Sequence, residues 1–186
     1  MRSYGTSEPS WRSGAPLLKR KSRVEFEIPA GTFRVIGLAA LSGVRSMAGP
    51  AFLSRAIRDG DVENLSNTPF AALGSKKASA LLQTLLVGEM IGDKTSFVPA
   101  RVSAPALFGR ALSGALVGSA LFVSRNHRGG AGALLGTLSA LAGVYAADRL
   151  RKGSARKLGI PDAVFGHLED ALVLSVGSRL LKRTRS

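Results

Sequence analysis

The chain has 186 residues, no cysteine, and 26 lysine and arginine residues against 12 aspartate and glutamate residues, a net charge of +14. Its length fits one domain, and without cysteine it can form neither disulfides nor thiolate metal sites. The positive charge predicts an anionic partner, either nucleic acid or acidic lipid. Aromatic residues make up only 6% of the chain and no nucleic-acid-binding motif is present. We therefore expect anionic lipids and no nucleic acid.

The N-terminal segment is basic and rich in small polar residues. Four basic residues cluster at positions 19–23, and the first apolar stretch begins only near Phe33. A cleaved signal peptide would place its apolar region directly after the basic start. We interpret residues 1–32 as a disordered basic tail at the membrane surface. Residues 33–181 then form a membrane-embedded domain, followed by a second basic tail at 182–186.

Five apolar blocks follow the tail, separated by short polar connections. They lie at residues 35–54, 78–91, 102–124, 129–147 and 163–181. The fourth block has 19 residues without a charge, close to the length that a helix needs to cross a bilayer core. The pattern predicts an all-α integral membrane protein, a bundle of four or five transmembrane helices.

The first two blocks depart from a simple span. In the first, Pro50 cannot donate a hydrogen bond to the carbonyl of Ser46, which predicts a kink or break beside Arg45. The second is short and contains Glu89, with Asp93 just beyond it. At mid-membrane these two charges would cost roughly 2.5–3.5 kcal/mol each, together more than the apolar residues of the block offset. We expect this second block to pack inside the bundle, to end at the interface, or to be re-entrant.

Glycines at helical spacing form two seams in the later blocks. Gly114 and Gly118 make one GxxxG pair, and Gly132 and Gly136 make another that continues to Gly143. Such residues allow helices to approach closely in lipid, whereas in water each glycine would cost a helix roughly 1 kcal/mol relative to alanine. We expect these glycines to mark helix–helix contacts, either within one chain or between the copies of a homo-oligomer.

Charged residues within or beside the apolar blocks are the candidate functional residues. They are Arg45, Glu89, Asp93, Lys94, Arg110, Glu169 and Asp170. One hypothesis is that they line a path for an ion or polar solute, which would make the protein a small channel or transporter. The alternative is a non-transporting scaffold or partner subunit in which the same residues form buried ion pairs that fix the helix register.

No motif indicates catalysis, a metal or a cofactor. In GDKTS (92–96), Asp93 stands where a phosphate loop requires glycine, and GGAGALLG (129–136) is not a dinucleotide-binding fingerprint. The chain has two histidines and neither a GxSxG nor an HExxH motif. We therefore expect no enzyme, no bound metal and no cofactor.

Six motifs, taken in order, are characteristic as a set. They are GVRS (43–46), GEMIGDK (88–94), Pro99 with Arg101, RALSGALVG (110–118), LLGTLSALAGVYAADRLR (134–151) and PDAVFGHLEDAL (161–172). With them, the chain from about Phe33 to Leu181 resembles a bacterial family of multi-pass membrane proteins catalogued as domain of unknown function 4126. The resemblance implies a small glycine-rich protein of the bacterial inner membrane, and it adds Arg101 to the candidate polar positions. It implies no activity, ligand or catalytic residue.

Overall fold

The computed structural model describes residues 31–92, 103–158 and 162–182, and every regular element in these ranges is helical. In chain order the elements are α1 (Thr32–Val44), α2 (Ala48–Arg58), a 3-10 helix (Pro69–Gly74), α3 (Lys76–Gly92), α4 (Ala104–Val123), α5 (Gly129–Leu158) and α6 (Asp162–Lys182). The all-α prediction is confirmed for this part of the chain. The predictions made for residues 1–30 and 183–186, and for Asp93, Lys94 and Arg101, lie outside the described residues.

The first apolar block forms two antiparallel helices. α1 ends at Val44, Arg45 takes an extended backbone conformation (φ −133°, ψ 119°), and α2 then runs back along α1. The two helices touch at Gly49, where an added Cβ would lie 2.9 Å from the carbonyl oxygen of Leu38. Pro50 lies in the first turn of α2, where a missing N–H breaks no helical hydrogen bond. The predicted break is therefore a complete reversal of the chain.

This hairpin is too short for either arm to cross a bilayer. α1 has 13 residues and α2 has 11, so they are about 20 and 17 Å long against a hydrocarbon core of about 30 Å. We call the turn at residues 45–47 the tip of the hairpin, and its two open ends, at Thr32 and Arg58, the base.

Among the described residues, two helices are long and apolar enough to span a membrane. They are α4 (Ala104–Val123) and the part of α5 from Gly129 to Ser154. The predicted four or five spans are therefore not confirmed, because in the described residues the first block divides into the hairpin while α3 and α6 carry charges within their apolar stretches.

α5 also extends further than its uncharged run. The helix continues from Ala147 to Leu158, through a segment that composition predicts to be a polar connection. Asp148 accepts a hydrogen bond from Lys152, four residues later, at 2.6 Å. Such pairs, together with Arg, Lys, Leu and Ala of high helix propensity, sustain a helix without an apolar face.

Both glycine seams meet within one chain, and both involve α5. On one side of α5, a methyl group on Gly118 would overlap the carbonyl oxygen of Gly132, and one on Gly136 would overlap that of Gly114. On another side Gly143 meets the carbonyl of Ala40 in α1. Gly143 thus packs against the hairpin and not against α4, although it continues the same small-residue pattern in the sequence.

The remaining helices connect the two ends of the hairpin. α3 starts at the base, where Arg58 donates a hydrogen bond to the hydroxyl of Ser79 at 3.2 Å, and it ends beside the tip. α6 runs in the opposite sense, and Leu180 near its end lies 2.8 Å from the Cβ position of Gly37 in α1. The hydrophobic core lies where these helices meet, and it includes Val35, Leu38, Leu53, Val117, Leu121 and Val173.

Candidate functional site

The candidate site is the tip of the α1–α2 hairpin. Arg45 there is only 1% exposed, and its extended backbone interrupts the helical hydrogen-bond ladder. The break leaves the N–H groups of Ser46 and Met47, just before α2, without a carbonyl partner in a helix, so they need an acceptor from elsewhere. A buried cation and two partly buried N–H donors therefore lie within three consecutive residues.

Asp170 of α6 neutralises the cation at the tip. Its Oδ1 lies 2.7 Å from Nη2 of Arg45, and the side chains of Asp170 and Arg45 are 12% and 2% exposed. A largely buried ion pair is screened very little, and the loss of either partner would leave a buried charge. The pair thus joins α6 to the hairpin by a contact between residues 125 positions apart.

Glu89 of α3 satisfies the N–H groups at the tip. The N–H of Ser46 donates to Oε1 at 2.7 Å, and the N–H of Met47 donates to Oε2 at 2.9 Å. Both carboxylate oxygens are therefore engaged by the start of α2, where the helix dipole also favours a negative charge. Glu89 acts as an N-terminal cap supplied by a different helix.

Arg110 and Glu169 are the other buried charges near this site, 6% and 7% exposed. Arg110 and Glu89 line one cavity of about 280 Å³ that also reaches Ser46 at the tip. The remaining lining is small or apolar, from Gly92 of α3 and from Pro105, Ala106 and Gly109 of α4. We call this the tip cavity, and it brings opposite charges of α3 and α4 to a shared space.

Comparison with known proteins assigns the chain to a family. The family model described as domain of unknown function (DUF4126) matches residues 33–177, well over half of the chain. The chain belongs to the DUF4126 family. No curated protein and no solved structure matched it. The matched range includes the hairpin, both glycine seams and every buried charge described above.

The structure brings together part of the polar set predicted for this DUF4126 protein. Arg45, Glu89 and Asp170 meet at the tip, and Arg110 and Glu89 both line the tip cavity. Glu169 is buried on α6 next to Asp170. Asp93, Lys94 and Arg101 lie outside the described residues.

Sequence reasoning missed the backbone donors of Ser46 and Met47, to which Glu89 binds. A signal for them exists: the helix break in GVRSMAGP comes directly before a new helix start, and new helix starts expose N–H groups. Among the described residues, no group of three or more His, Asp or Glu side chains could hold a metal ion. The chemistry of this site is charge neutralisation and backbone capping.

The capping role of Glu89 predicts a measurable stability effect. In Glu89→Gln the amide oxygen can accept only one of the two N–H groups, and the amide nitrogen then faces the other donor. We expect a loss of about 1–3 kcal/mol in the free energy of unfolding, because hydrogen bonds to a charged acceptor and the helix-terminus charge are both lost. Unfolding in mild detergent, followed by circular dichroism, measures it. Lys77→Gln, on the exposed start of the same helix, is the control, and equal losses in both variants would contradict the capping role.

Proposed function

We propose that this DUF4126 protein is a multi-pass integral protein of the bacterial inner membrane. The support is the outward face of its helices, since only 39% of the apolar window of α4 and 33% of that of α5 is buried within the protein. Large apolar side chains point outward from four helices: Leu81, Leu85, Phe108, Leu112, Leu134, Leu138, Leu168 and Leu172. Soluble monomers rarely expose large contiguous apolar patches, so we infer that lipid covers these helix faces.

In this proposal the hairpin enters and leaves the bilayer from the base side, while α4 and α5 cross it. Non-helical backbone at membrane depth is tolerated only where protein buries it or water reaches it, and the tip meets this condition through Glu89 and Asp170.

Basic residues are more numerous at the base, which favours a cytoplasmic base. Those at the base include Arg34, Arg55, Arg58, Lys76, Lys77, Arg125 and Arg128, against Arg149, Arg151, Lys152, Arg156 and Lys157 in the second half of α5. Anionic lipids of the cytoplasmic leaflet are the expected partners of this basic side.

We further propose that the buried charges are structural, and that the protein is a non-transporting scaffold or partner subunit without enzymatic activity. One observation carries this: Glu89 gives both carboxylate oxygens to backbone N–H groups at 2.7 and 2.9 Å. A carboxylate that carries an ion or proton must exchange its partners during each cycle, and here that exchange would uncap α2. The 2.7 Å pair of Arg45 and Asp170 holds the other side of the tip.

Transport of an ion or small polar solute is the second candidate function. It is favoured by the tip cavity, in which Glu89 and Arg110 share about 280 Å³ with the hairpin tip. Interrupted membrane helices beside such a polar space border the substrate sites of several transporter folds. The two functions differ in whether water reaches this cavity from the membrane surface.

Single cysteines distinguish the two functions, because the chain has none of its own. Gly109 lines the tip cavity, and Gly88 does not. Both glycines have open space around the Cβ position, so a cysteine fits at either. We expect a membrane-impermeant maleimide to leave Gly109→Cys unlabelled in native membranes, from both sides, if the charges are structural. Labelling of Gly109→Cys alone, with none at Gly88→Cys, would favour transport.

A third cysteine tests the membrane position itself. Leu134 on α5 is 64% exposed in the isolated protein, so a cysteine there should react readily in a water-soluble protein and should stay unlabelled when lipid covers it. Labelling at Leu134→Cys in intact membranes would contradict membrane embedding. A cysteine at Asn126, in the exposed turn between α4 and α5, gives the positive control for reagent access.

A further inference from the structure

The tip cavity reaches the outer surface of the protein between α3 and α4. Of its lining residues, Pro105 is exposed, and Gly92 and Gly109 are half-buried. A Cβ on either glycine would meet no atom within 4 Å, in contrast to the glycines of the α4–α5 seam. α3 packs mainly on α2 and the 3-10 helix, and α4 packs mainly on α5 and α1. Another molecule can therefore approach the cavity from its outer side.

The lining of the tip cavity suits an uncharged occupant. Its two charged side chains are both engaged within the protein, Glu89 by two backbone N–H groups and Arg110 by other residues. Apart from Ser46, the rest of the lining is glycine, alanine and proline. An apolar cavity of about 150 Å³ accommodates a benzene ring, so the cavity here, of about 280 Å³, has room for an aromatic side chain.

An outward-pointing aromatic side chain lies beside this cavity. Phe108 is 66% exposed and directly precedes Gly109 in α4. It shares one side of the helix with Pro105, three residues earlier, and with Leu112, four residues later. Leu112 is 55% exposed as well. One patch of the surface thus carries both an aromatic projection and a cavity that can hold an aromatic ring.

Such a patch is complementary to itself. In a dimer with two-fold symmetry the same patch of both copies meets, so that each contact is made twice. If Phe108 of one copy enters the cavity of the other, symmetry forms the reciprocal contact. Within a bilayer, packing and close approach at small residues drive the association of helices, and Gly92 and Gly109 leave space for that approach.

We propose that a second copy of this chain covers the tip cavity in a two-fold symmetric dimer, with Phe108 of each copy seated in the cavity of the other. The inference rests on the proposed membrane position, because the interface consists of outward faces of α3 and α4. At this part of the surface the second copy takes the place of lipid. Ser46, in the non-helical tip, then lies beneath protein, as backbone at membrane depth requires.

The surface around the cavity is large enough for a specific interface. Leu85 and Ile91 of α3 are 45% and 64% exposed, and Phe108 and Leu112 of α4 are exposed to a similar extent. Covering these side chains and the cavity lining would bury on the order of 500 Å² in each copy. The total of about 1,000 Å² reaches the lower limit expected of a specific interface.

Energy transfer between two fluorophores tests the dimer in the full-length protein in liposomes. Arg128→Cys, in the exposed turn between α4 and α5, carries the label, because the chain has no other cysteine. We expect energy transfer between donor-labelled and acceptor-labelled copies that persists as lipid is added and that unlabelled protein reduces by competition. A monomeric protein would overturn the proposal and leave lipid as the cover of the cavity.

Two variants and one control locate the interface. Phe108→Ala removes the projection, and Gly109→Leu fills the cavity from a position with open space in the single copy. Each should raise the dimer dissociation constant at least about a hundredfold, since each contact occurs twice. Leu138→Ala, at a site on α5 that is 57% exposed, should leave it unchanged. An equal loss in this control would overturn the proposal.

A mixture of the two variants separates a lost contact from a lost fold. The Phe108→Ala copy keeps its cavity and the Gly109→Leu copy keeps its phenyl ring, so the mixed dimer regains one of the two contacts. We expect stronger energy transfer between the two variants than within either, and a mixture as monomeric as its components would contradict the proposal. Protection of Leu134→Cys from labelling reports the membrane position separately, so failure of the dimer and failure of membrane embedding are distinguishable.

Discussion

Replacing Arg45 with methionine should destabilise the protein by about 3–5 kcal/mol, the largest effect we expect from one polar substitution. The variant leaves the carboxylate of Asp170 buried opposite an apolar side chain, where water cannot compensate for the lost ion pair of 2.7 Å. Methionine has a similar length to the arginine stem, so little of the effect comes from lost volume. Thermal or denaturant unfolding in detergent, followed by size-exclusion chromatography, measures the change.

The matched control is Arg55→Met on α2. Arg55 also pairs with an aspartate, Asp59, but at 3.4 Å and with both side chains exposed, so its loss should change stability by at most about 1 kcal/mol. The double variant Arg45→Met with Asp170→Leu should recover most of the stability lost in the single variant, because no buried charge remains. A double variant as unstable as the single one would contradict the role of this pair.

Leucine at Gly136 should separate α4 from α5. A side chain there meets the carbonyl of Gly114, and the partner atoms belong to helix backbone that cannot move aside locally. We expect a loss at or above the roughly 3 kcal/mol upper end of overpacking effects, with partial loss of compact folding. Gly118→Leu should behave alike, since its neighbour across the seam is the backbone of Gly132.

Gly130→Leu provides the control on the same helix. The Cβ position of Gly130 has no neighbour within 4 Å, so leucine there should be neutral or slightly stabilising through helix propensity. The comparison is read as the unfolding midpoint and the elution volume of each variant in detergent. Equal stability of the Gly130 and Gly136 variants would contradict a tight α4–α5 seam.

Much of the fold follows from local patterns in the sequence. The uncharged run at 129–147 and the apolar block at 102–124 predict the two longest apolar helices, because apolar length is a local property. The helix break beside Arg45 follows from Pro50 in the same way, because proline acts on the turn that precedes it. The predicted end of the fourth block's helix, at Ala147, was wrong. Charged residues with high helix propensity continue α5 to Leu158 without apolar periodicity.

The candidate site was predicted as a set of residues and not as a set of contacts. Burial of charges in apolar segments is expensive, so Arg45, Glu89 and Asp170 could be identified as special from composition and spacing alone. The partners of these residues could not be predicted, because their hydrogen bonds and ion pairs join residues that are 42 to 125 positions apart in the chain. Transport and the scaffold role both stay predictions, and the contacts of Glu89 favour the second.

The sequence by itself determined the class of this DUF4126 protein: helices, glycine seams, and a few charges within apolar segments. These features depend on residue type and on periods of a few residues, which any stretch of the chain reveals. Only the tertiary structure decided that the first block reverses direction, that Gly143 packs on α1, and that Glu89 caps α2. Each of these depends on which surfaces lie opposite one another, because a helix face selects its partner by packing with residues far away in the chain.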